Sequence, residues 1–370
     1  MTSVTLLSSR RIRSTPYKRQ VENHGVSGYT VVNHTILPKG FGRSVEEDYW
    51  HLREHVQLWD VGCQRQVEVK GPDATKLMQL MTPRDLGKAF VGQCLYAPLV
   101  DHNGGMLNDP VILKLSSDRY WISVADSDVL LWAKGLSYGL GLDVEVNEPD
   151  VWPMAVQGPK ADDLMAAVFG PAIRKIKFFN FETFDFESQQ LVIARSGFSK
   201  QGGFEIYLDQ PTIGDRLWST LWQAGQGLEV SPGYPNLIER IESGLLSYGN
   251  EMTLENNPLE CGLGRFCQLD GSIDFIGREA LQKIHVTGPK RSIRGVKFGE
   301  DRCPPCSIPW PVRVGDKPVG YVTSAIWSPR FKTNIGLAMI ERGHWEEQQR
   351  ISVEGEDRVI REGQVTGLPM

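Results

Sequence analysis

The sequence lacks an excess of positive charge, a long apolar run and a dense set of cysteines. Its 370 residues carry a formal net charge of −5, whereas nucleic-acid-binding domains usually carry a basic stripe. No stretch reaches the roughly 18–20 apolar residues that a membrane-spanning helix needs. Six cysteines at irregular spacing do not form a disulfide framework. We therefore expect a cytoplasmic protein with reduced thiols that acts on a small-molecule substrate, without nucleic-acid or membrane partners, and with a homodimer as a possible assembly.

The common nucleotide motifs and a hydrolase nucleophile elbow are also missing. We find no G-x-G-x-x-G after a strand and no G-x-x-x-x-G-K-S/T loop, which argues against a dinucleotide fold and a P-loop. The G-x-S-x-G string GLSYG (residues 135–139) lies within the predicted helix DVLLWAKGLSYGL and not at the strand-to-helix turn of an α/β-hydrolase nucleophile elbow. Cys303 and Cys306 have the C-x-x-C spacing, but they stand among prolines and away from a helix N-terminus that would activate a thiol. The expected structure here is a loop without a redox or metal role.

One stretch does match a metal motif. His51, Glu54 and His55 in HLREH have the H-x-x-E-H form of inverted zinc peptidases. Catalytic zinc needs a third protein ligand and an open coordination position, and the sequence offers no third ligand that can be placed. We expect a structural helix over residues 45–58 and no metal site.

The spacing of apolar residues predicts an α+β protein with a β-rich C-terminal part. Helical and alternating segments are mixed before Gly288. Among them, residues 236–252 (NLIERIESGLLSYGNEM) predict one long, mostly buried helix. From about Gly288 onwards, short strands separated by glycine and proline predict a small barrel or sandwich.

Two polar patterns interrupt otherwise apolar elements. In RSGFSKQGGFEIY, the alternation of a strand places Glu205 and Tyr207 on one face, so a carboxylate and a phenol can point into one pocket. Arg240 and Glu242 lie in the apolar segment ERIESGLL. They are interpreted either as part of a functional site or as a structural ion pair. The pattern alone leaves both interpretations open.

Four segments resemble the aminomethyltransferase (T-protein) superfamily. RSGFSKQGGFEIY is similar to the family segment SGYTGEDGFEI, RIESGLLSYGNEMTLENNPLECGL to RLEAGLxLYGND…TPxEAGL, GQCLYAPLVDHNGGMLNDPVIL to GQxxYxxxxNxxGGIxDDLIV, and GYVTSAIWSPRFKTNIGLAMI to GxVTSG…SP…IALAYV. The resemblance implies a three-domain folate-binding aminomethyltransferase-like fold. Its domains would be a folate-binding domain of residues 1–54 and 151–285, a second α+β domain of residues 55–150 lining the folate pocket, and a C-terminal β-barrel domain of residues 286–370.

Within this superfamily the chain resembles the branch that demethylates dimethylsulfoniopropionate. RRIRSTP, GVSGYTVVNHTILP, HLREHVQLWDV, WISVADSD and NLIERIESGLLSYGN carry that likeness. It implies that a methyl group moves from the sulfonium to tetrahydrofolate, giving 5-methyltetrahydrofolate and 3-(methylthio)propanoate. The alternatives are an aminomethyltransferase, a demethylase of a methylated amine, and a non-catalytic folate-binding protein.

The resemblance also implies which residues form the site. Six residues are expected to contact folate, with Glu205 on the pterin ring: Tyr96, Asn108, Ser123, Glu205, Tyr207 and Arg240. For the sulfonium, side-chain chemistry suggests the aromatic faces of Phe178, Phe198 and Tyr207, with Lys200 for the substrate carboxylate. No residue is assigned as catalytic, because a sulfonium carries a neutral thioether as its leaving group and the protein's task is to position the reactants.

One departure from the family pattern bears on the alternatives. Where the family has G-G-I-x-D-D, this chain has GGMLND, so Asn108 stands in place of the first aspartate. An amide cannot act as a general base near neutral pH, and Asp109, if the segment is a strand, points to the opposite face. Building a methylene bridge and releasing ammonia should need more proton transfer than moving a methyl group. The substitution therefore favours methyl transfer over glycine cleavage.

Overall fold

The computed structural model describes residues 9–370. Its helices are α1 (Lys18–Asn23), α2 (Val45–Glu54), α3 (Ala74–Met81), α4 (Val129–Gly139), α5 (Ala161–Phe169), α6 (Gly214–Ala224), α7 (Leu237–Ser243) and α8 (Arg278–Thr287). Its strands are β1 (Gly28–Val32), β2 (Thr35–Gly40), β3 (Val56–Asp60), β4 (Gln66–Lys70), β5 (Cys94–Tyr96), β6 (Leu99–Val100), β7 (Met106–Asn108), β8 (Val111–Ser116), β9 (Arg119–Ser123), β10 (Glu145–Asn147), β11 (Trp152–Gln157), β12 (Phe181–Phe186), β13 (Gln189–Ala194), β14 (Gly203–Leu208), β15 (Val230–Gly233), β16 (Arg291–Phe298), β17 (Trp310–Val314), β18 (Lys317–Ser328), β19 (Thr333–Glu341), β20 (Arg350–Glu354) and β21 (Ile360–Thr366). This mixture confirms the predicted α+β class.

The chain divides into two compact units that interleave along the sequence. The first unit comprises the segment ending at Ala74, Phe90–Leu95 and Val111–Asn236, and the second comprises Thr75–Ala89, Tyr96–Pro110 and Leu237–Met370. Each unit is described by itself. The three-domain division at residues 54, 150 and 285 stays a prediction.

The first unit contains two larger sheets. One has the strand order β10-β4-β9-β8-β5 and the other the order β12-β13-β14-β11-β3-β15, in which β15 runs parallel to β3. Side chains alternate across β14 as predicted: Phe204, Ile206 and Leu208 enter the main apolar core together with Trp218 of α6. Glu205 and Tyr207 therefore lie on the opposite face of the same strand.

Helix α2 is shorter than predicted. Ser44 and Glu47 form a reciprocal capping box at its N-terminus, but the helix ends at Glu54 rather than near residue 58. The chain then enters β3, where Val56 and Leu58 are fully buried between β11 and β15. Burial of these two side chains in the sheet overrides the helical pattern of the sequence.

The long helix predicted over residues 236–252 is wrong. Helix α7 covers only Leu237–Ser243 and is followed by Gly244, whose φ of +66° is in the left-handed region that ends helices. The chain then turns back, so that Glu251 forms an ion pair with Arg240. The predicted burial is correct, because every residue from Ile238 to Ser243 is buried.

The second unit contains a closed barrel, which confirms the predicted C-terminal β-barrel. Its six strands have the order β16-β19-β18-β17-β20-β21, and pairing of β16 with β21 closes the ring. Apolar side chains such as Val296, Trp310 and Val353 fill its interior. None of the helices within residues 9–370 is long and apolar enough to cross a bilayer.

Candidate active site

In the first unit, Tyr207 of β14 meets two residues of β9. The rings of Tyr207 and Trp121 lie 6.1 Å apart, and the Ser123 hydroxyl is close enough to Tyr207 to act on its pKa. Glu205 precedes Tyr207 by two residues and therefore lies on the same face of β14. Ser123 follows Trp121 by two residues and lies on the same face of β9. We call these four residues the Glu205 cluster. It places a carboxylate, a phenol, a hydroxyl and an indole between the two sheets.

The Glu205 carboxylate is buried and held by a neutral donor. Only 5% of the residue surface is exposed, and the Ser196 hydroxyl donates a hydrogen bond of 2.5 Å to Oε2. Burial raises the pKa of Glu205, while the bond from Ser196 acts in the opposite direction. A buried carboxylate with a perturbed pKa is typical of functional sites.

The Tyr207 hydroxyl is buried without a hydrogen-bond partner of normal geometry. Burial raises its pKa well above the ordinary value, and the charge of Glu205 adds to this. The neighbouring Ser123 Oγ already accepts a bond of 3.0 Å from Gln66 Nε2, and Gln66 Oε1 is itself buried without a partner. Unmatched buried polar atoms cost about 1–3 kcal/mol each, and a ligand with complementary groups would remove that cost.

Trp121 is fixed by a carboxylate that the sequence analysis did not identify. Glu68 Oε2 accepts hydrogen bonds from Trp121 Nε1 at 2.8 Å and from Arg119 Nε at 2.6 Å. The Arg119 guanidinium also lies 5.7 Å from the centroid of the Trp121 ring. The available signal was the glutamate in the middle of the apolar strand QVEVK.

The second unit holds another carboxyl group with a perturbed pKa. Asp109 Oδ2 accepts a hydrogen bond of 2.8 Å from the Tyr96 hydroxyl, whereas Oδ1 is buried without a partner. Burial of the carboxyl raises the pKa of Asp109 to about 7, the bond from Tyr96 lowers it, and the charge of Glu251 raises it. We call Tyr96, Asp109 and Glu251 the Asp109 cluster.

Asp109 was set aside at the level of sequence because it was expected to face away from Asn108 within one strand. Strand β7 ends at Asn108, however, and Asp109 lies beyond its end. The side chain is therefore not held to the strand alternation and reaches the Tyr96 hydroxyl. Asn108 is fully buried. The structure makes Asp109 a candidate functional residue that sequence reasoning missed.

Arg240 is engaged within the second unit. Its guanidinium forms an ion pair of 2.6 Å with Glu251 and donates to Ser324 Oγ at 2.6 Å. The Arg240–Glu242 ion pair considered from the sequence is not formed, because Glu242 instead accepts a bond of 2.6 Å from Ser328 and faces Arg330. Arg240 thus forms an ion pair with Glu251 in place of the predicted partner Glu242, and its contact with folate stays a prediction.

The residues suggested for the sulfonium lie in different surroundings. Phe178 is 72% exposed and contacts Phe179 with ring centroids 4.7 Å apart. Phe198 is half-buried against a small apolar cluster that includes Trp59, and Lys200 is exposed in the turn before β14. The structure does not assemble these three into one enclosed cage. Their contact with substrate stays a prediction.

The HLREH histidines do not share one helix. His51 lies in α2, whereas His55 follows its end with an extended backbone; their ring centroids are 4.9 Å apart. Burial lowers the pKa of His51 to about 4. Within the part of the chain that the structure describes, no group of three or more His, Cys, Asp or Glu residues is placed to hold a metal ion.

Cys303 and Cys306 lie in the loop before β17, as predicted, and both are free thiols. Burial raises the pKa of Cys303 to about 11 and that of Cys306 to about 12. Both thiols are therefore protonated near neutral pH, in contrast to the thiolates of reactive cysteines.

Comparison with known proteins gives matches over almost the whole sequence. Residues 17–271 match the family model described as GCVT N-terminal domain, and residues 291–370 match the glycine cleavage T-protein C-terminal barrel domain. The sequence is 51% identical to dimethylsulfoniopropionate demethylase DmdA of Ruegeria pomeroyi over 97% of this chain and 99% of that protein. It is 32% identical to an aminomethyltransferase of Symbiobacterium thermophilum over 81% of this chain and 82% of that one.

A solved structure supports the same fold. The aminomethyltransferase T of the glycine cleavage system from Bartonella henselae superposes with a TM-score of 0.85 and covers 97% of this chain and 98% of its own. At 22% sequence identity, this match concerns the fold alone. It agrees with the folate-binding aminomethyltransferase-like fold expected from the sequence.

Proposed function

The chain belongs to the glycine cleavage T-protein family, and from this we propose that it is a tetrahydrofolate-dependent demethylase of dimethylsulfoniopropionate. The observation that carries the proposal is 51% identity to a protein of that name over 97% of this chain. The enzyme transfers a methyl group from the sulfonium to tetrahydrofolate, and the products are 5-methyltetrahydrofolate and 3-(methylthio)propanoate.

The Glu205 cluster suits the pterin ring of tetrahydrofolate. The pterin amino group and ring N–H are donors, and an ionised carboxylate accepts from both. Glu205 is buried and accepts a hydrogen bond from a neutral hydroxyl, while within residues 9–370 the Tyr207 hydroxyl has no hydrogen bond of normal geometry. We assign the pterin donors to Glu205 and place Tyr207 and Ser123 beside them.

The main contribution of the protein to this reaction is to position the two reactants. Tetrahydrofolate, when bound, would supply the N5 lone pair that attacks the methyl carbon; the S–CH₃ bond breaks with its electron pair left on sulfur, and N5 loses its proton. Because a neutral thioether leaves, the side chains need to hold two reactants in line and to keep water out, which can supply several kcal/mol of the barrier. A site that is closed to solvent also strengthens the hydrogen bonds of Glu205.

Asn108 replaces one carboxyl group of the family pattern, and its fully buried amide cannot take up a proton near neutral pH. The neighbouring Asp109 keeps another carboxyl group, whose pKa burial raises to about 7. The preference for methyl transfer over aminomethyl transfer therefore rests on the sequence identity given above. Tyr96, Asn108 and Arg240 remain proposed folate contacts. Phe178, Phe198 and Lys200 remain proposed contacts of the methyl donor.

An anaerobic assay of the purified full chain with tetrahydrofolate and dimethylsulfoniopropionate tests the proposal. We expect 5-methyltetrahydrofolate and 3-(methylthio)propanoate to appear in equal amounts. Turnover that depends on the lipoyl protein of glycine cleavage would instead favour an aminomethyltransferase, and turnover with methylated amines would favour an amine demethylase. Folate binding without any product would favour the non-catalytic alternative.

The partners and location of the protein follow from its chemistry. All six cysteines are free, which suits the reducing cytoplasm, and the net charge of −5 does not suit nucleic acid. We propose a cytoplasmic enzyme of small molecules that forms a homodimer through exposed apolar side chains of α4, among them Leu131 and Tyr138. Light scattering of the wild type and of Tyr138→Lys tests the assembly, since a monomer in both would contradict it.

A further inference from the structure

A buried glutamine anchors the loop that leads into β14. Gln157 is the last residue of β11 and is fully buried. Its Nε2 donates to the Ser196 carbonyl at 3.1 Å, and its Oε1 accepts from the Ser199 hydroxyl at 2.8 Å. The side-chain amide therefore binds the loop of residues 196–203 at two points from the inside.

Two glycines make room for this amide. A Cβ at Gly197 would lie 2.0 Å from Gln157 Nε2, and a Cβ at Gly203 would lie 2.5 Å from the same atom. Both glycines have positive φ angles, +149° and +147°, so a side chain would also strain the backbone at each position. The loop is shaped around the Gln157 amide, and the glycines of RSGFSKQGG serve that shape.

The same loop carries the residue that holds Glu205. The carbonyl of Ser196 accepts from Gln157, while its hydroxyl donates to Glu205 Oε2 at 2.5 Å. Gln157, Ser196 and Glu205 thus form a continuous chain of hydrogen bonds within the first unit. A shift of the Ser196 backbone would move its hydroxyl away from the carboxylate, because such bonds tolerate only a few tenths of an ångström.

We infer that Gln157 is a positioning residue for tetrahydrofolate binding, which acts by holding Ser196 so that the Ser196 hydroxyl orients the Glu205 carboxylate toward the pterin donors. The inference rests on the proposed function, since it takes Glu205 as the pterin-binding group. Gln157 itself is placed inside the loop and does not touch the ligand.

The test compares tetrahydrofolate dissociation constants of full-length variants under anaerobic conditions, from pH 5 to 8. Gln157→Met keeps the length of the side chain and removes its hydrogen bonds to the Ser196 carbonyl and the Ser199 hydroxyl. Ser199→Ala removes only the second of these bonds. Ser196→Ala removes the donor to Glu205 directly. The matched control is Gln226→Met, which removes a bond from an exposed glutamine amide to the Trp222 carbonyl elsewhere in the first unit.

We expect Gln157→Met and Ser196→Ala each to weaken tetrahydrofolate binding by about tenfold, with a smaller loss for Ser199→Ala and none for the control. The Ser196 bond lowers the pKa of Glu205, so its loss should move the acidic limit of binding to higher pH. Tyr207 and Cys94, the titratable neighbours, have pKa values that burial raises, so neither becomes charged in this pH range. Gln157→Met combined with Ser196→Ala should bind no more weakly than Ser196→Ala.

The outcomes separate the inference from its premise. A wild-type protein that binds no tetrahydrofolate would overturn the proposed function itself. If the wild type binds and both Gln157→Met and Ser199→Ala bind equally well with an unshifted acidic limit, Gln157 is only structural. Additive losses in the double variant would also overturn the inference, because Gln157 would then act independently of Ser196.

Discussion

The Glu205 cluster and the Asp109 cluster are two solutions to burying a carboxyl group, and they differ in their partners. Glu205 lies within a strand; burial raises its pKa, and the hydrogen bond that it accepts from the Ser196 hydroxyl acts in the opposite direction. Asp109 lies after the end of a strand, shares a bond with a phenol and feels the charge of Glu251, and its pKa is raised to about 7. The Glu205 cluster is suited to accept hydrogen bonds from a ligand.

The Asp109 cluster is suited to exchange a proton. A carboxyl group whose pKa is near 7 is populated in both protonation states at neutral pH, as a general acid or base requires. Among residues 9–370 the Asp109 Oδ1 atom has no hydrogen-bond partner, so it can accept a proton from a ligand, or donate one to it, without first breaking such a bond. Burial raises the pKa of both carboxyl groups and a hydroxyl hydrogen bond lowers it in both, whereas the charge of Glu251 acts on Asp109.

The largest expected effect comes from the cation that compensates Glu251. Arg240→Met should lower the free energy of unfolding by about 3–5 kcal/mol, because the Glu251 carboxylate would stay buried without its partner. Urea unfolding at pH 8 measures the loss. Arg174→Met is the matched control, since Arg174 and its partner Asp163 are both exposed, and it should cost less than about 1 kcal/mol. Equal losses in the two variants would contradict the buried character of the Arg240 pair.

Asp109→Asn should stabilise the protein at pH 8 and not at pH 4. The pKa of Asp109 is raised from 3.8 to about 7 by folding, so between these values the folded state keeps a proton that the unfolded state releases, and stability falls as pH rises. Asparagine avoids this cost, which is up to about 4 kcal/mol above pH 7, and can still accept from Tyr96. Unfolding in urea at both pH values measures the difference. Asp316→Asn, at an exposed position, serves as the control, and a stability gain that is the same at both pH values would exclude titration as its cause.

Glu205→Gln should weaken tetrahydrofolate binding by about 100-fold, since bonds from the pterin donors to a charged acceptor contribute roughly 1.5–3 kcal/mol. Calorimetric titration under anaerobic conditions gives the dissociation constant. Glu182→Gln, an exposed glutamate of β12 in the same sheet, should leave it unchanged. An unchanged constant for Glu205→Gln would remove Glu205 from the folate site and leave the Asp109 cluster as the stronger candidate.

The smallest effect is expected for Tyr207→Phe. Within the part of the chain that the structure describes, its hydroxyl has no hydrogen bond of normal geometry, so its removal should leave thermal stability unchanged or raise it by up to about 1 kcal/mol. Tyr17→Phe is the contrast, because that hydroxyl donates to the Trp152 carbonyl at 2.8 Å, and its loss should cost about 1 kcal/mol. A comparable loss in Tyr207→Phe would mean that the hydroxyl is already satisfied within the fold.

The sequence predicted what depends on local pattern. The alternation of FEIY correctly placed Glu205 and Tyr207 on one strand face, and glycine-rich short strands correctly indicated the barrel. It could not reveal Glu68 beside Trp121, which are 53 positions apart, or Gln157 beneath the loop of residues 196–203. Those contacts depend on how strands are ordered in a sheet, and a single sequence does not contain that order.

The errors have the same origin. Helix α2 was extended too far because the pattern around Val56 fits both a helix and a buried strand. Helix α7 was extended past Gly244, although glycine is a known helix terminator, because the apolar spacing continues beyond it. Asp109 was dismissed because the strand was assumed to continue for one more residue. Each error concerns where an element ends, which tertiary contacts decide.

The closed barrel and the open sheet also differ in how they resist aggregation. In the barrel every strand has two neighbours, so no row of free backbone groups is available to another chain. In the six-stranded sheet, β12 is an edge strand that pairs only with β13, and it exposes Glu182 and Asp185. These charges would repel an identical edge from a second molecule at high cellular concentration. Replacing them with threonine should lower solubility well before it lowers stability.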